Sequence, residues 1–162
     1  MTALIRPFQP SDVPRLREIT VEAFNGVSID QNAERHLGLI AGHDWQWRKA
    51  RHVDEDVRRD PQGTFVAVEG DQILGYISTW MDREAGIGHI PNLALTAAAR
   101  GQGLGHRLLE HALDHFRRHG LAAARIETLD QNPVGQHLYP AVGFREVARQ
   151  IHYFLPLQQN ET

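Results

Sequence analysis

A segment with three glycines in five residues opens the most strongly amphipathic helix that this sequence predicts. The segment reads Arg100-Gly101-Gln102-Gly103-Leu104-Gly105 and follows an apolar stretch that is typical of a strand. The helix, residues 104–119, places its leucine, alanine and phenylalanine residues on one face, and Gly120 ends it. A strand, a glycine-rich turn and an amphipathic helix in this order predict an α/β unit, which strongly constrains the fold.

The backbone of the glycine-rich segment predicts an anion-binding site. Glycine allows a tight turn and close approach of a ligand, and the first N–H groups of the helix are free donors at the positive end of its dipole. Phosphate is a common ligand of such sites. On spacing alone, however, a glycine-rich connection that binds nothing stays open as an alternative.

Two common phosphate-binding motifs are excluded by the residues present. A Walker loop needs a lysine directly after its last glycine, and the only lysine of the chain, Lys49, lies far upstream. The dinucleotide fingerprint G-x-G-x-x-G fails in both registers, because His106 and Leu108 occupy the positions of its third glycine.

The rest of the pattern predicts a mixed sheet with helices on both faces. Gly70-Asp71 is a two-residue hairpin signal, and Pro91 indicates a bulge in its strand. Two strands on either side of the glycine-opened helix should be parallel. The expected elements are a strand at Ala3–Phe8, a helix capped by Ser11, a short helix and a longer one capped by Asp44 within residues 31–60, strands at Thr64–Glu69, Gln72–Met81, His89–Thr96 and Ala123–Leu129, a helix from Asn132-Pro133 to Tyr139, and an extended segment at Phe144–Leu155.

Composition excludes several classes of protein. The 162 residues are expected to form one domain, residues 1–157, with a polar tail at 158–162. A net charge of −3 argues against a general nucleic-acid or membrane-surface binder. No apolar run approaches the ~18 residues of a membrane span, and no signal-peptide pattern is present, so we expect a cytoplasmic protein.

The metal-binding and nucleophilic residues that the chain contains limit its chemistry. Cysteine is absent, which excludes a disulfide, a thiolate zinc site and a cysteine nucleophile. His111, His115 and His119 recur every four residues along one helix, and two histidines at that spacing can bind zinc. Because no further ligand accompanies them, we expect a solvated or interface stripe and no metal site.

Three motifs together resemble those of the GNAT superfamily of N-acetyltransferases. Arg100-x-x-Gly103-x-Gly105 resembles the acetyl-CoA motif of that family, and Asn92-Leu93-Ala94-Leu95 resembles the splayed strand before it. The segment NPVGQHLYPAVGF, from Asn132 to Phe144, is similar to the second motif. The resemblance implies an α/β (α+β) fold: a mixed, mostly antiparallel twisted sheet with a central splayed pair of parallel strands and helices on both faces.

The resemblance also implies roles for individual residues. Tyr139 would protonate the leaving thiolate, and one backbone N–H of the splayed strand would polarise the acetyl carbonyl. On the residues alone, Tyr139 can equally be a core tyrosine that packs with Leu138 and Phe144. The implied binding residues for coenzyme A are Leu93, Ala94 and Leu95 for the pantetheine, Arg100, Gly101, Gln102, Gly103, Leu104, Gly105 and His106 for the pyrophosphate, and Asn132 for the cofactor arm.

Candidates for the general base and for the acceptor pocket follow from the chemistry of individual side chains. His89 begins the strand that would carry the acetyl group, and an imidazole suits proton removal near neutral pH; Asp82, Glu84, Glu127 and a water molecule stay open as alternatives. Aromatic residues near a carboxylate can hold a cationic amine, although both tryptophans of this region can equally cover the core. The residues considered for that pocket are Phe24, Asn25, Asp44, Trp45 and Trp47.

The expected function is direct transfer of an acetyl group from acetyl-CoA to a primary amine of a small molecule, peptide or protein. A homodimer is compatible with the resemblance. A non-catalytic acyl-CoA-binding or sensing module of the same fold is the main alternative, and a nucleotide-binding module is a third.

Two departures from the family pattern are Pro140, directly after Tyr139, and a short C-terminal part in which the last two strands would merge into one bent strand.

Overall fold

The computed structural model describes residues 2–158, which form two β-sheets flanked by helices. Short 3₁₀ turns precede α1, β2 and the glycine-rich segment. The elements are β1 (Leu4–Pro7), α1 (Val13–Ala23), α2 (Ile29–Leu37), α3 (Trp45–Arg59), β2 (Phe65–Glu69), β3 (Gln72–Ile77), β4 (Trp80–Asp82), β5 (Ile87–Ile90), β6 (Leu93–Leu95), α4 (Leu104–Arg118), β7 (Ala123–Ile126) and α5 (Pro133–Val142).

The strands form one antiparallel sheet and one mixed sheet. The first has the order β1-β2-β3-β6, and every pair in it is antiparallel. The second has the order β4-β5-β7, in which β4 pairs antiparallel and β7 parallel with the central β5. This arrangement confirms the expected mixed, mostly antiparallel architecture with a central parallel pair.

Helices cover both faces of the sheets, as the alternation of buried residues requires. Phe65 and Ala67 of β2 pack in one core cluster with the apolar face of α4, whereas Val66 between them packs in a second cluster with α1 and α3. On β5, Gly88 lets α4 approach closely, because a Cβ at this position would lie 2.5 Å from the Phe116 ring.

Two strands that the sequence predicts as continuous are each divided between the sheets. The expected strand Gln72–Met81 separates into β3 and β4, and the expected strand His89–Thr96 separates into β5 and β6 at Pro91 and Asn92. In both cases one half pairs within the antiparallel sheet and the other half within the mixed sheet. The two strand breaks therefore join the sheets side by side.

Most helix ends follow the expected capping chemistry, and two do not. The caps at Asp44 and Asn132 are confirmed, since their side chains accept hydrogen bonds from Trp47 N and Gly135 N. The expected cap at Ser11 is wrong, because α1 begins after Asp12. The expected helix end at Tyr139 is also wrong: α5 continues through Pro140 to Val142.

The C-terminal segment after α5 has no regular structure in the described residues. The sequence predicts an extended segment at Phe144–Leu155, and residues 144–156 form neither a helix nor a paired strand. Of the expected polar tail, 158–162, only residue 158 lies within the described part of the chain. None of the helices between residues 2 and 158 has the length and apolar character needed to cross a bilayer.

Candidate functional site

The break between β5 and β6 creates an opening between the two parallel strands. β5 pairs with β7 from Ile87 opposite Ala123 to Ile90 opposite Ile126. Beyond Ile90 the chain moves into the other sheet as β6, and β7 ends at Ile126. The parallel pair thus diverges at Pro91 and Asn92, which confirms the expected splay.

The edge of β6 that faces this opening carries free backbone groups. Ser78 N donates to Asn92 O at 2.9 Å, and Thr96 N donates to Leu74 O at 2.8 Å. Backbone groups alternate in direction along an antiparallel ladder, so Ala94 also faces β3. Leu93 and Leu95 direct their N–H and C=O groups at the opposite, unpaired edge. Ala94 instead contributes its methyl group to the core.

The glycine-rich segment presents a continuous set of unpaired amides beside that edge. Gly101 and Gly103 have φ values of +75° and +79°, which favour glycine because a side chain would be strained there. A Cβ added at either position would meet no atom within 4 Å, so that side of the turn is open. Among the described residues no backbone or side-chain acceptor pairs with the N–H groups of residues 101–106.

The charged residues around these amides differ in their availability. Arg100 is exposed at the start of the turn and makes no ion pair with a described residue. Arg107 donates to Ala3 O at 2.7 Å, so its guanidinium group holds the first strand instead. Six free amides at a helix N-terminus with one exposed arginine fit a phosphate group. The residues present therefore fit the pyrophosphate of coenzyme A.

The helix α5 lies against α4 and brings two predicted residues to the same region. Asn132 is half-buried and uses its side-chain oxygen as the N-cap of α5, 3.4 Å from Gly135 N. Gly105 in the first turn of α4 packs against α5, since a Cβ there would lie 3.1 Å from Leu138. Asn132 therefore has a structural role in addition to any contact with a ligand.

Tyr139 lies on α5, where its ring packs against the main core cluster. Its ring centroid is 6.2 Å from that of Phe144 in an edge-to-face arrangement. Burial, with a smaller contribution from Glu127, raises the pKa of the Tyr139 hydroxyl to about 12. The hydroxyl donates to no described residue, so this tyrosine stays protonated at neutral pH with its proton unshared.

His89 lies in β5, one residue before the end of the parallel ladder. Its imidazole stacks on the indole of Trp80, with 4.0 Å between ring centroids. Burial, followed by the charge of Arg125, lowers the pKa of His89 below its usual range. The imidazole is therefore neutral at pH 7 and able to accept a proton.

The alternative bases either already accept a hydrogen bond from the protein or are exposed to solvent. Glu127 accepts a hydrogen bond from Arg125 at 2.6 Å, and its side chain is well exposed. Asp82 accepts from Ala85 N at 3.0 Å in the turn between β4 and β5. Glu84 is exposed in that same turn.

A buried cluster of polar side chains on the other side of the break was missed by the sequence-based reasoning. Asn92 is its centre: its side-chain oxygen accepts from Lys49 Nζ at 3.0 Å, and its side-chain nitrogen donates to Asp56 at 2.6 Å. Ser78 Oγ donates to the same Asp56 oxygen at 2.7 Å. His52 Nδ1 lies 3.1 Å from Lys49 Nζ.

The spacing of this cluster along α3 could have revealed it. Lys49, His52 and Asp56 stand at i, i+3 and i+7, which places them on one helix face. Lys49 is only 8% exposed, and burial lowers its pKa to about 8. Burial also raises the pKa of Asp56. An isolated polar residue gives little signal, but three on one face of an amphipathic helix predict a buried polar contact.

This cluster lines an open cleft of about 330 Å³ at the strand break. Of the residues expected near the acceptor, Phe24 contacts a residue of this cleft, its ring 3.8 Å from Lys49 Nζ. Trp45 is buried, whereas Trp47 stacks on His43 and is half-exposed. Asp44 caps α3, and Asn25 accepts from Gln31. The lining residues of the cleft are Lys49, His52, Glu55, Asp56, Arg59, Pro91 and Asn92.

The histidines of α4 lie away from this cleft. His111 and His115 make edge-to-face contacts with Phe65, at centroid distances of 4.5 Å and 5.1 Å. His119 lies next to them, with its Nδ1 2.8 Å from His115 O. Packing against Phe65 therefore accounts for two of the three.

Comparison with known proteins identifies the family. A sequence profile of the Acetyltransferase (GNAT) family matches residues 14–144. A mycothiol acetyltransferase from Parafrankia sp. (strain EAN1pec) is 29% identical over 180 residues, which cover 95% of this chain and 56% of that protein. N-alpha-acetyltransferase 30 from Schizosaccharomyces pombe is 29% identical over 102 residues, which cover 61% of this chain and 68% of that protein.

A solved structure shares the fold over almost the whole chain. The PaiA N-acetyltransferase from Thermoplasma acidophilum, in complex with coenzyme A, superposes with a TM-score of 0.71 at 21% identity. The alignment covers 90% of this chain and 91% of that one. This chain spans about half the length of the mycothiol acetyltransferases that it matches.

Proposed function

The chain belongs to the GNAT family of acetyltransferases, and we propose that it transfers an acetyl group directly from acetyl-CoA to a primary amine. The observation that carries this proposal is the position of the free amides of residues 101–106 next to the unpaired edge of β6. When bound, acetyl-CoA supplies the acetyl group and leaves as a thiol.

Backbone groups of this chain bind and orient the donor in our proposal. The amides of Gly101, Gln102, Gly103, Leu104, Gly105 and His106 donate to the pyrophosphate, and Arg100 adds a positive charge. The free edge of β6 between Leu93 and Leu95, with Ala94 fixed against β3, pairs with the amide-containing arm. A free N–H of this edge donates to the acetyl carbonyl oxygen, where negative charge develops during transfer.

Two side chains handle protons in the proposed reaction. Tyr139 donates its hydroxyl proton to the departing sulfur, and its raised pKa ensures that the proton is present at neutral pH. His89 accepts the proton that the attacking amine loses, because its lowered pKa keeps the imidazole neutral. Asn132 contacts the donor from the start of α5.

The cleft beside Asn92 is the proposed entry for the acceptor. The exposed Glu55 provides a carboxylate at its wall, and a protonated amine is attracted to such a group before it is deprotonated. The names of the relatives point to two kinds of acceptor, a mycothiol-related one and an N-terminal α-amine. We propose a primary amine without choosing between them.

Release of free CoA tests this function with little background, since a cysteine-free chain does not react with a thiol reagent. Purified protein is incubated with acetyl-CoA and a panel of small primary amines and peptides with free N-termini. We expect thiol release that depends on at least one amine and a product heavier by one acetyl group. Tight binding of acetyl-CoA with no release for any amine would instead support the binding or sensing module. Preferential binding of ATP or NAD over CoA would support the nucleotide-binding module.

A further inference from the structure

The indole of Trp80 contacts two nitrogen-rich side chains, the proposed base and an arginine. Trp80 on β4 lies opposite His89 on β5, so both side chains project from the same face of the sheet, where their rings stack. The guanidinium carbon of Arg59, the last residue of α3, lies 3.7 Å from the centroid of the Trp80 ring. Burial is the first cause that lowers the pKa of His89, and the charges of Arg125 and Arg59 add to it. Arg59 is therefore held close to the proposed base.

Arg59 has no acidic partner among the described residues, although a carboxylate is near in sequence. Glu55 lies one helical turn earlier on α3, at a spacing that favours an ion pair, yet the two side chains form none. The guanidinium group lies over Trp80 instead. Stacking leaves the N–H groups at the edge of a guanidinium free, and these donate in pairs to a carboxylate or a phosphate. Arg59 is thus an exposed, positioned cation whose donors are available.

Arg59 also lines two separate spaces on the surface. One is the cleft of about 330 Å³ beside Asn92, and the other is a cavity of about 240 Å³ next to β4, here called the cationic cavity. Arg83 is exposed in the turn after β4 and makes no ion pair or side-chain hydrogen bond within residues 2–158. The polar residues that line the cationic cavity are Arg59, Asp60, Gln62, Arg83, His115 and His119. Two arginines and two histidines against one carboxylate make this cavity suited to an anion.

One histidine of the cationic cavity has an unused polar atom. The Nε2 atom of His115 is buried and has no hydrogen-bond partner in the described part of the chain. The His115 ring packs edge-to-face against Phe65, which offers no acceptor or donor. A buried polar atom without a partner is costly. A ligand group in the cavity that His115 lines would supply that partner.

We propose that the cationic cavity binds a carboxylate or phosphate group of the acceptor, so that the acceptors of this chain are amines that also carry a negative charge. This inference rests on the proposed function for the position of the amine, which lies in the cleft beside Asn92 and is attracted by Glu55. The negative group pairs with Arg59, which lines both spaces, and extends toward Arg83. Arg59 is then the residue that distinguishes acidic from neutral acceptors.

The expected size of this preference follows from how Arg59 is held. An exposed ion pair contributes little, partly because two flexible side chains must be ordered. The indole already orders the guanidinium group of Arg59, and a bidentate pair adds a second hydrogen bond to the same anion. We therefore expect an acidic acceptor to bind about tenfold more tightly than a neutral acceptor of the same shape.

Binding without turnover tests the proposal first. Calorimetry in the presence of CoA compares two matched pairs of amines. The first pair is an amidated peptide with a free N-terminus and glutamate at its second and third positions, and the same peptide with glutamine there. The second is phosphoethanolamine and ethanolamine, and the pair with the larger difference distinguishes a peptide from a small-molecule acceptor. Equal or undetectable binding of both members in both pairs would overturn the proposal.

Variants of the arginines locate the binding site. Arg59→Gln should remove most of the preference for the acidic member, Arg83→Gln should reduce it in part, and Arg59→Glu should reverse it. Arg58→Gln is the matched control, because Arg58 is an exposed neighbour that lines neither space and should keep the full preference. An Arg59→Gln protein with the parent's preference would show that the anion binds elsewhere, and the proposal would be wrong.

Thiol release with acetyl-CoA separates this inference from acetyl transfer itself. Binding that depends on Arg59 without thiol release from any amine would refute the transfer and leave the anion site intact. Thiol release at equal kcat/KM for acidic and neutral members would refute the anion site and leave the transfer intact. We expect Arg59→Gln to raise KM about tenfold for acidic acceptors only. An equal loss of kcat for both members would show that Arg59 merely supports Trp80 and His89.

Discussion

The two sides of the strand break are built from different parts of the polypeptide. On the side of α4, the N–H groups of residues 101–106 lie in and after an exposed glycine-rich turn. They have no acceptor among the described residues. On the side of α3, the buried side chains of Lys49 and Asn92 and the half-buried carboxylate of Asp56 satisfy one another through hydrogen bonds. One side offers free donors, whereas the other uses its polar groups to hold the break in place.

This difference predicts that substitutions on one side change ligand affinity and substitutions on the other side change the stability of the fold. Donors fixed by glycine dihedrals are ready for an anion without reorganisation, so changes there should act on ligand affinity. A cluster of mutually satisfied groups leaves unpaired atoms when one member is removed, so changes there should act on the free energy of unfolding. The following predictions test this division, and the proposed catalytic residues, Tyr139 and His89, come first because their expected effects are largest.

Removing the Tyr139 hydroxyl should have the largest effect. Tyr139→Phe keeps the ring that packs in the core and deletes only the proton donor. We expect kcat to fall about 100-fold, within the usual range for loss of a general acid, with the unfolding midpoint almost unchanged. Tyr153→Phe is the matched control and should retain full activity. A kcat for Tyr139→Phe within about threefold of the parent would show that this tyrosine only packs.

His89→Ala should lower the rate about 100-fold at pH 7, and the deficit should shrink as pH rises. The reason is that an α-amine with a pKa near 8 loses its own proton at higher pH. In the parent protein the rate should fall only when pH drops through the lowered pKa of His89. Full pH–rate profiles of the parent, His89→Ala and the exposed His36→Ala provide the measurement. A His89→Ala profile with the parent's shape would remove His89 as the base.

Asp56→Ala should destabilise the fold by about 2 kcal/mol, because Ser78 Oγ and the Asn92 amide would both lose their acceptor. The neighbouring Glu55→Ala should change stability by less than about 0.5 kcal/mol, since Glu55 is exposed. Urea unfolding followed by circular dichroism measures both values. Equal stability of the two variants would show that the buried cluster does not hold the strand break.

Gly103→Ala should weaken CoA binding about tenfold, which corresponds to ~1.4 kcal/mol. Gly120→Ala is a matched control at the other end of α4, where φ is +74° and the space around a Cβ is also open. Both variants should lose about 1 kcal/mol of stability from left-handed strain. Titration calorimetry with CoA should separate them, and equal affinities would contradict an amide-based site in this turn.

Local chemistry made much of the fold predictable. The caps at Asp44 and Asn132, the Gly70-Asp71 hairpin and the end of α4 before Gly120 each depend on residues close in sequence. The glycine-rich turn was predictable for the same reason, since its conformation follows from φ values that favour glycine.

The features that sequence could not supply depend on distant partners. Whether residues 72–81 form one strand or two is decided by β5 and β6, which pair with different halves. The capping residue of α1 was misassigned because Ser11 lies inside a 3₁₀ turn, Pro10–Asp12, that precedes the helix, and the Asp12 carboxylate accepts from Arg6 instead of capping α1. Pro140 stays helical because α5 packs on α4, so tertiary contacts outweigh the local preference. The Asn92 cluster joins residues 43 positions apart.

Backbone amide NMR during a CoA titration tests the central claim most directly. Gly101, Gly103 and Gly105 give glycine amide signals from the turn, and Gly42 and Gly120 give reference signals outside it. The account predicts that CoA shifts the three turn glycines strongly, leaves the two reference glycines unchanged, and has a larger effect than ATP or NAD at equal concentration. Unshifted turn glycines at saturating CoA, or a preference for ATP or NAD, would contradict it.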